Sequence, residues 1–190
     1  MLAKELMPLA TFARKRKRLQ AEVLAHRADR AVRVGHNATL VFENELTVRF
    51  QLQEILRLDG TSAAADVQAE VDAYAPLAPD GGNLKATLTL EFSDLTERGI
   101  RVAQLTGVEN HVWMQVEGSP RIYAIADVDI ERAAAERDAM LHHLRFELGE
   151  QGARDLKGGR PLSFGIDHPS YNARQVVGQN VRQSLLKDLR

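Results

Sequence analysis

Five stretches of this chain alternate apolar and polar residues with period two, and that repetition restricts the fold more than any other feature. The cleanest is Leu84-Lys-Ala-Thr-Leu-Thr-Leu-Glu-Phe92, in which Leu84, Ala86, Leu88, Leu90 and Phe92 share one face. Lys85, Thr87, Thr89 and Glu91 share the other, as a half-buried strand requires. The same alternation runs through His111–Glu117, Arg121–Asp127, Met140–Leu148 and Pro161–Pro169. Gly118-Ser-Pro120 supplies a turn between the second and third, predicting a hairpin there. Strands of this kind want one apolar face covered, so the expected fold is α+β: mainly antiparallel sheet, helices packed on one face, and an N-terminal helix.

The helices are read from period 3.6. Pro8 suits a first turn, and Phe12, Leu19, Val23 and His26 continue one face to about Arg30. Ala31–Gly35 and Ala38–Glu43 form a predicted hairpin across His36-Asn37. Leu46 to Leu58 returns to helical spacing, with Phe50, Leu52, Ile55, Leu56 and Leu58 on its apolar side. Gln51, Glu54 and Arg57 lie opposite, and Glu54 can pair with Arg57 three residues on. A third helix is expected from Thr61-Ser62, with Ser62 as its cap, to Tyr74. A fourth should follow Asp94 and end at Gly107. Asp129–Asp138 reads as a short helix or structured loop, Glu150–Lys157 as a helix, and Gln179–Leu189 as the closing helix. With a single Pro/Gly cluster at Pro79–Asn83, the expectation is one compact domain over 1–190.

Composition excludes several chemistries. The 190 residues include no cysteine, so disulfides, cysteine nucleophiles and a self-ligated iron–sulfur cluster are out. Any metal, iron or zinc, would rest on His, Asp and Glu. The first residues lack the pattern of a signal peptide, and no apolar run approaches the roughly 20 residues of a bilayer span. The expected location is the cytoplasm, with no membrane partner. Residues 1–35 carry nine Lys/Arg against three acids, while the remainder is acidic, sixteen against twenty-three. Arg14–Arg18 points in all directions around a helix and has no interleaved aromatics. It reads as a solvated helix surface rather than a nucleic-acid arm.

The polar side of the predicted sheet carries the chemistry. It would hold Lys85, Glu91, His111, Trp113, Gln115, Tyr123, Asp127, His143, Arg145, Glu147 and Asp167. Trp113 and Tyr123 beside convergent charges resemble the wall of a ligand site, with Gln51 of the helix above them. Glu54, Arg145, Glu147, Asp167 and His168 are the candidate proton-transfer or substrate-binding groups. The plainer account is that the aromatics pack under a helix and the charges pair across strands, for less than about 1 kcal/mol each. A metal would draw on His143 and His168, two imidazoles plus a carboxylate being a ligand set for mononuclear iron or zinc. His143 and Glu147, four apart on a strand, are roughly 13 Å from each other and cannot share an ion, so Glu43 or Glu54 would have to help. No Gly-x-Ser-x-Gly elbow or phosphate-binding glycine loop occurs.

Val48–Arg57, Asp72–Gly81, Tyr123-Ala-Ile-Ala-Asp127, Leu144-Arg-Phe-Glu-Leu148 and Gly165-Ile-Asp-His-Pro169 together resemble the bacterial family called domain of unknown function 3501. The resemblance spans nearly the whole chain. It implies no catalytic residues, but members of that family are often encoded near rubrerythrin-like and iron–sulfur oxidoreductase proteins. Two readings follow. In the first, favoured by that company, the chain is a non-catalytic accessory or partner of a redox system. In the second, it is a small-ligand or metal-dependent enzyme with its site on the polar sheet face.

Overall fold

In the computed structural model, which describes residues 5–92, 94–126 and 141–190, nine antiparallel strands form two sheets rather than one. The first sheet contains β1 (Ala31–Val34), β2 (Ala38–Phe42), β3 (Asn83–Leu90), β6 (Ile125–Ala126) and β7 (Leu141–Glu147), in the order β1-β2-β3-β7-β6. The second contains β4 (Val112–Val116), β5 (Ile122–Tyr123), β8 (Leu162–His168) and β9 (Tyr171–Val176), in the order β5-β4-β8-β9. The described helices are α1 (Leu9–Ala28), α2 (Glu45–Asp59), α3 (Ala64–Tyr74), α4 (Leu95–Gln104), α5 (Gly149–Lys157) and α6 (Gln179–Leu186). The α+β class, the antiparallel pairing and the N-terminal helix are as the periodicity predicts.

The apolar faces of the two sheets meet. Phe42 and Phe146 come from the first sheet and Phe164 from the second, with ring centroids 4.8 Å apart for Phe42–Phe164 and 5.5 Å for Phe146–Phe164. Leu40, Leu84, Leu88, Met114, Leu162 and Ile166 complete a fully buried interior around them. One of the crossings from sheet to sheet falls within a single predicted strand. The predicted strand 121–127 breaks at the buried Ala124, so that β5 pairs with β4 and β6 pairs with β7.

At the opposite edge, β9 approaches β1. The Tyr171 hydroxyl donates to the Val34 carbonyl (2.7 Å) and accepts from the Asn37 and Ala38 amides (3.1 and 3.2 Å). Gly35 makes room for that hydroxyl. Its φ is +74°, and a Cβ there would lie 2.6 Å from the Tyr171 oxygen.

Helices α1, α2 and α3 form a second, smaller apolar cluster of Leu52, Leu56 and Val71, with Leu9, Val67 and Tyr74 around it. Helix α2 is fixed at its start by a reciprocal cap between Asn44 and Thr47 and ends at Gly60, φ +67°. Helix α3 begins at Ala64 with no side-chain cap, so Ser62 does not play that part. The basic run is solvated as expected, with Arg16 held by Glu54 (2.6 Å) and Arg18 by Glu22 (2.8 Å). The segment Asp129–Asp138 and Asp127 lie outside the described residues.

The C-terminal helix is locked to β2 through Arg30, whose guanidinium is 1% exposed. It donates to the Phe42 carbonyl (2.8 Å), the Glu43 carbonyl (3.1 Å) and the Ser184 carbonyl (3.2 Å), and pairs with Asp188. Burial pushes the Asp188 carboxyl above its ordinary range, and the Arg30 hydrogen bond only partly reverses that.

Candidate functional site

Because there are two sheets, the single polar face expected from the sequence is divided. Its members are shared between the two sheets, and the candidates Gln51 and Glu54 stand on α2. The residues brought together lie on the second sheet.

There, strand register sets Trp113 opposite both Tyr123 and Gly165. The absence of a side chain at Gly165 lets the indole lie over the strand, since a Cβ would fall 2.1 Å from the ring. The Arg121 guanidinium covers the other side, 4.2 Å from the ring centroid, a cation–π contact. Trp113 is thus sandwiched and only 2% exposed, and its indole N–H has no hydrogen-bond partner among the described residues. A guanidinium lies over this tryptophan, where the plainer of the two sequence accounts put a helix.

Asp167 gathers the rest. One carboxylate oxygen accepts from the Tyr123 hydroxyl (2.7 Å) and from Arg121 (3.2 Å). The other lies 3.5 Å from Nδ1 of His111. His111 in turn meets the His168 ring edge-on at 5.0 Å. His168 accepts the Ser170 amide N–H at Nδ1 (3.1 Å), which places the proton of its neutral form on Nε2. By strand parity His168 follows Leu162, Phe164 and Ile166 on the core side, and it is buried at the rim of the sheet.

The first sheet carries a separate set. His143 is buried and sits 3.4 Å from the Thr87 hydroxyl, which donates to Glu43 (2.9 Å); Arg27 reaches the same carboxylate at 3.3 Å. Beside them, Pro76, Leu77, Lys85 and Arg145 help to enclose a cavity of about 20 Å³. That volume suits one water molecule and no larger ligand. Arg145 and Glu147 form an exposed pair at 2.7 Å, and Asn83 also donates to Glu147 (3.2 Å).

Helix α2 holds the third set. Partial burial pushes the Glu54 carboxyl up, but hydrogen bonds and charge from Arg16 (2.6 Å) and Arg57 (3.0 Å) outweigh that and hold it below its ordinary value. Gln51 is half-buried on the same helix. So Trp113, Tyr123, Asp167 and His168 come together, whereas Glu54 and Gln51, and His143, Arg145 and Glu147, stand apart from them.

The two histidines named as metal ligands belong to different sheets. Among the described residues no three His, Asp or Glu side chains are grouped to hold an ion. Arg121 is a member of this cluster that strand alternation alone does not single out, and His111 is one that alternation marks only as outward-facing. The signal for Arg121 is the hairpin register around Gly118–Pro120, which puts it opposite Gln115, one alternation from Trp113.

An antiparallel two-sheet α+β fold carrying an aromatic–carboxylate cluster on one outer face is the class defined so far. The family model described as "Protein of unknown function (DUF3501)" matches residues 1–189, and the chain belongs to that family. It is similar to a solved structure from Burkholderia pseudomallei, titled as a novel protein of unknown function. The two are 42% identical with a TM-score of 0.93, over 100% of this chain and 99% of that one. No curated protein matches the chain.

Proposed function

We propose that this protein is a non-catalytic accessory that docks on a redox protein through the β5–β6 corner. The observation supporting this is the pair Tyr123 and Ile125, 46% and 47% exposed, on either side of the buried Ala124. Contiguous exposed apolar surface marks interaction sites, and these two side chains flank a single residue at one corner. Around them stand the Arg121–Asp167 pair on the second sheet and Arg145, opposite Ile125 in the first. Aromatic, aliphatic and arginine side chains on a rigid base, ringed by paired charges, have the composition of a binding hot spot. With no cysteine in the chain, an iron–sulfur centre would be the partner's contribution.

A photo-crosslinking residue placed at Ile125 in the producing cells tests this. The expected product is a crosslink to an iron- or flavin-bearing protein, weakened by Tyr123→Ser and missing when the crosslinker is moved to the exposed Leu58. Equal crosslinking from both positions, or a partner without a redox centre, would reject the reading.

One observation favours the enzyme alternative. His111 beside Asp167 is a carboxylate–imidazole pair at 3.5 Å, the two group types that general acid–base chemistry uses. Native mass spectrometry of protein purified without chelator distinguishes it. A bound small molecule lost on Asp167→Asn would support a ligand site there.

A further inference from the structure

A groove of about 220 Å³ runs between α1 and α2, lined by none of the residues of the two sheets and independent of the docking proposal above. Its walls are Met7, Phe12, Leu19 and Val23 on one side and Leu46 and Phe50 on the other. Phe12 and Val23 are buried, and the Phe12 and Phe50 rings meet at 5.7 Å. Met7, Leu19, Leu46 and Phe50 are only half-covered, so their remaining apolar surface faces the groove. A dry apolar cavity of roughly 150 Å³ holds a benzene-sized molecule, so this one takes an aryl group or a short aliphatic tail.

The polar groups around the groove give the ligand its charge. Gln53 is committed, its amide bonded in both directions to the Met7 backbone (2.7 and 3.2 Å). Glu22 is paired with Arg18 at 2.8 Å, and Glu5 also has an interaction of its own. Arg49 differs. It lines the groove, is half-buried, and makes no hydrogen bond or ion pair among the described residues. A half-buried guanidinium with five donors and no acceptor, at the edge of an apolar trough, is complementary to a carboxylate.

We propose that the α1–α2 groove binds a small apolar-tailed monocarboxylate, with the tail between Leu19, Leu46 and Phe50 and the carboxylate on Arg49. Octanoate is the probe, with octanol and octylamine as neutral and cationic controls, all below their aggregation limits. Binding is followed by methyl NMR of Met7, Leu19, Val23 and Leu46.

The expected result is saturable octanoate binding at millimolar or lower concentration, about fivefold tighter than octanol. Arg49→Gln should bring octanoate down to the level of octanol without altering the octanol value. Leu19→Trp, which fills the trough, should abolish both. The proposal fails if none of these methyl groups shifts, if octylamine binds as tightly as octanoate, or if Arg49→Gln leaves the preference intact in a folded protein.

Discussion

Gly165→Ala puts the central contact of the second sheet to a direct test. The new Cβ would sit 2.1, 2.4 and 2.8 Å from three ring atoms of Trp113. Ordinary carbon contacts begin near 3.5 Å, so the indole must retreat by more than about 1 Å. The ring is rigid and Arg121 lies on its far side at 4.2 Å, so that retreat displaces the guanidinium from the stack and from Asp167. Overpacking of this kind costs about 1–3 kcal/mol. Losing the cation–π contact adds about 0.5–1 kcal/mol, and replacing glycine returns about 0.4–1 kcal/mol through the unfolded chain.

The net expectation is a loss of about 1–3 kcal/mol, or a melting temperature lower by about 3–9 °C for a chain of this length. Trp113 is the single tryptophan of the sequence, so its fluorescence reports on this site alone. Emission should move to the red and acrylamide quenching should rise, while urea unfolding shifts to a lower midpoint at an unchanged slope. An unaltered spectrum with an unaltered midpoint would mean that the indole does not rest on Gly165, and the account of the cluster would fall with it.

Arg30→Met should be the most damaging of the other single changes. It leaves Asp188 buried without its counter-charge, for a loss of about 3–5 kcal/mol by chemical denaturation, and Asp188→Leu on the same background should recover part of it. Tyr171→Phe removes three hydrogen bonds between β9 and the β1–β2 turn. The expected cost is about 1–3 kcal/mol, with faster amide exchange at Asn37 and Ala38 and little change in α1–α3. Carboxyl-carbon NMR should find Glu54 titrating below, and Asp188 above, their ordinary values. For Glu54 the sign makes its stabilisation present above the unfolded value near ~4.3 and lost as pH falls through the lower folded value. Arg16→Ala should therefore weaken the protein slightly at neutral pH and not at all in strong acid. For Asp188 the sign is opposite, with stability declining as pH rises from the unfolded value near ~3.9 through the raised folded one.

What was legible in the sequence, and what was not, follows from which forces leave a local pattern. Burial of one face leaves a period. Accordingly β2, β3, β4, β7 and β8, and the amphipathic helices α1 and α2, could be read within a few residues of where they lie. Strand β9 shows no such period because it is an edge strand. Four of its six side chains are polar or small, four are exposed, and beyond its ladder to β8 what holds it is a tertiary contact, the Tyr171 hydroxyl on a turn far away in the chain. The α3 cap failed for a related reason, since a serine near a helix start predicts a cap only where its oxygen reaches a free amide.

The candidate site was legible to the extent that it depends on alternation. Trp113, Tyr123 and Asp167 were placed on polar faces, and pairing across the β4–β5 and β4–β8 ladders does bring them together. Alternation says that a side chain faces away from the core, but not which of two sheets it belongs to. That choice was made at Ala124, where one predicted strand divides between both sheets. A small buried residue in the middle of 121–127 carries no signal of such a crossing. The pairing of β7 with β3 and of β8 with β4 parts His143 and Arg145 from Asp167 and His168, while the crossing at Ala124 leaves Tyr123 and Ile125 exposed at a common corner. The same division into two sheets that separates His143 from His168 requires the β5–β6 crossing that exposes this pair, so the proposed docking surface is a consequence of the fold's topology and not of any motif.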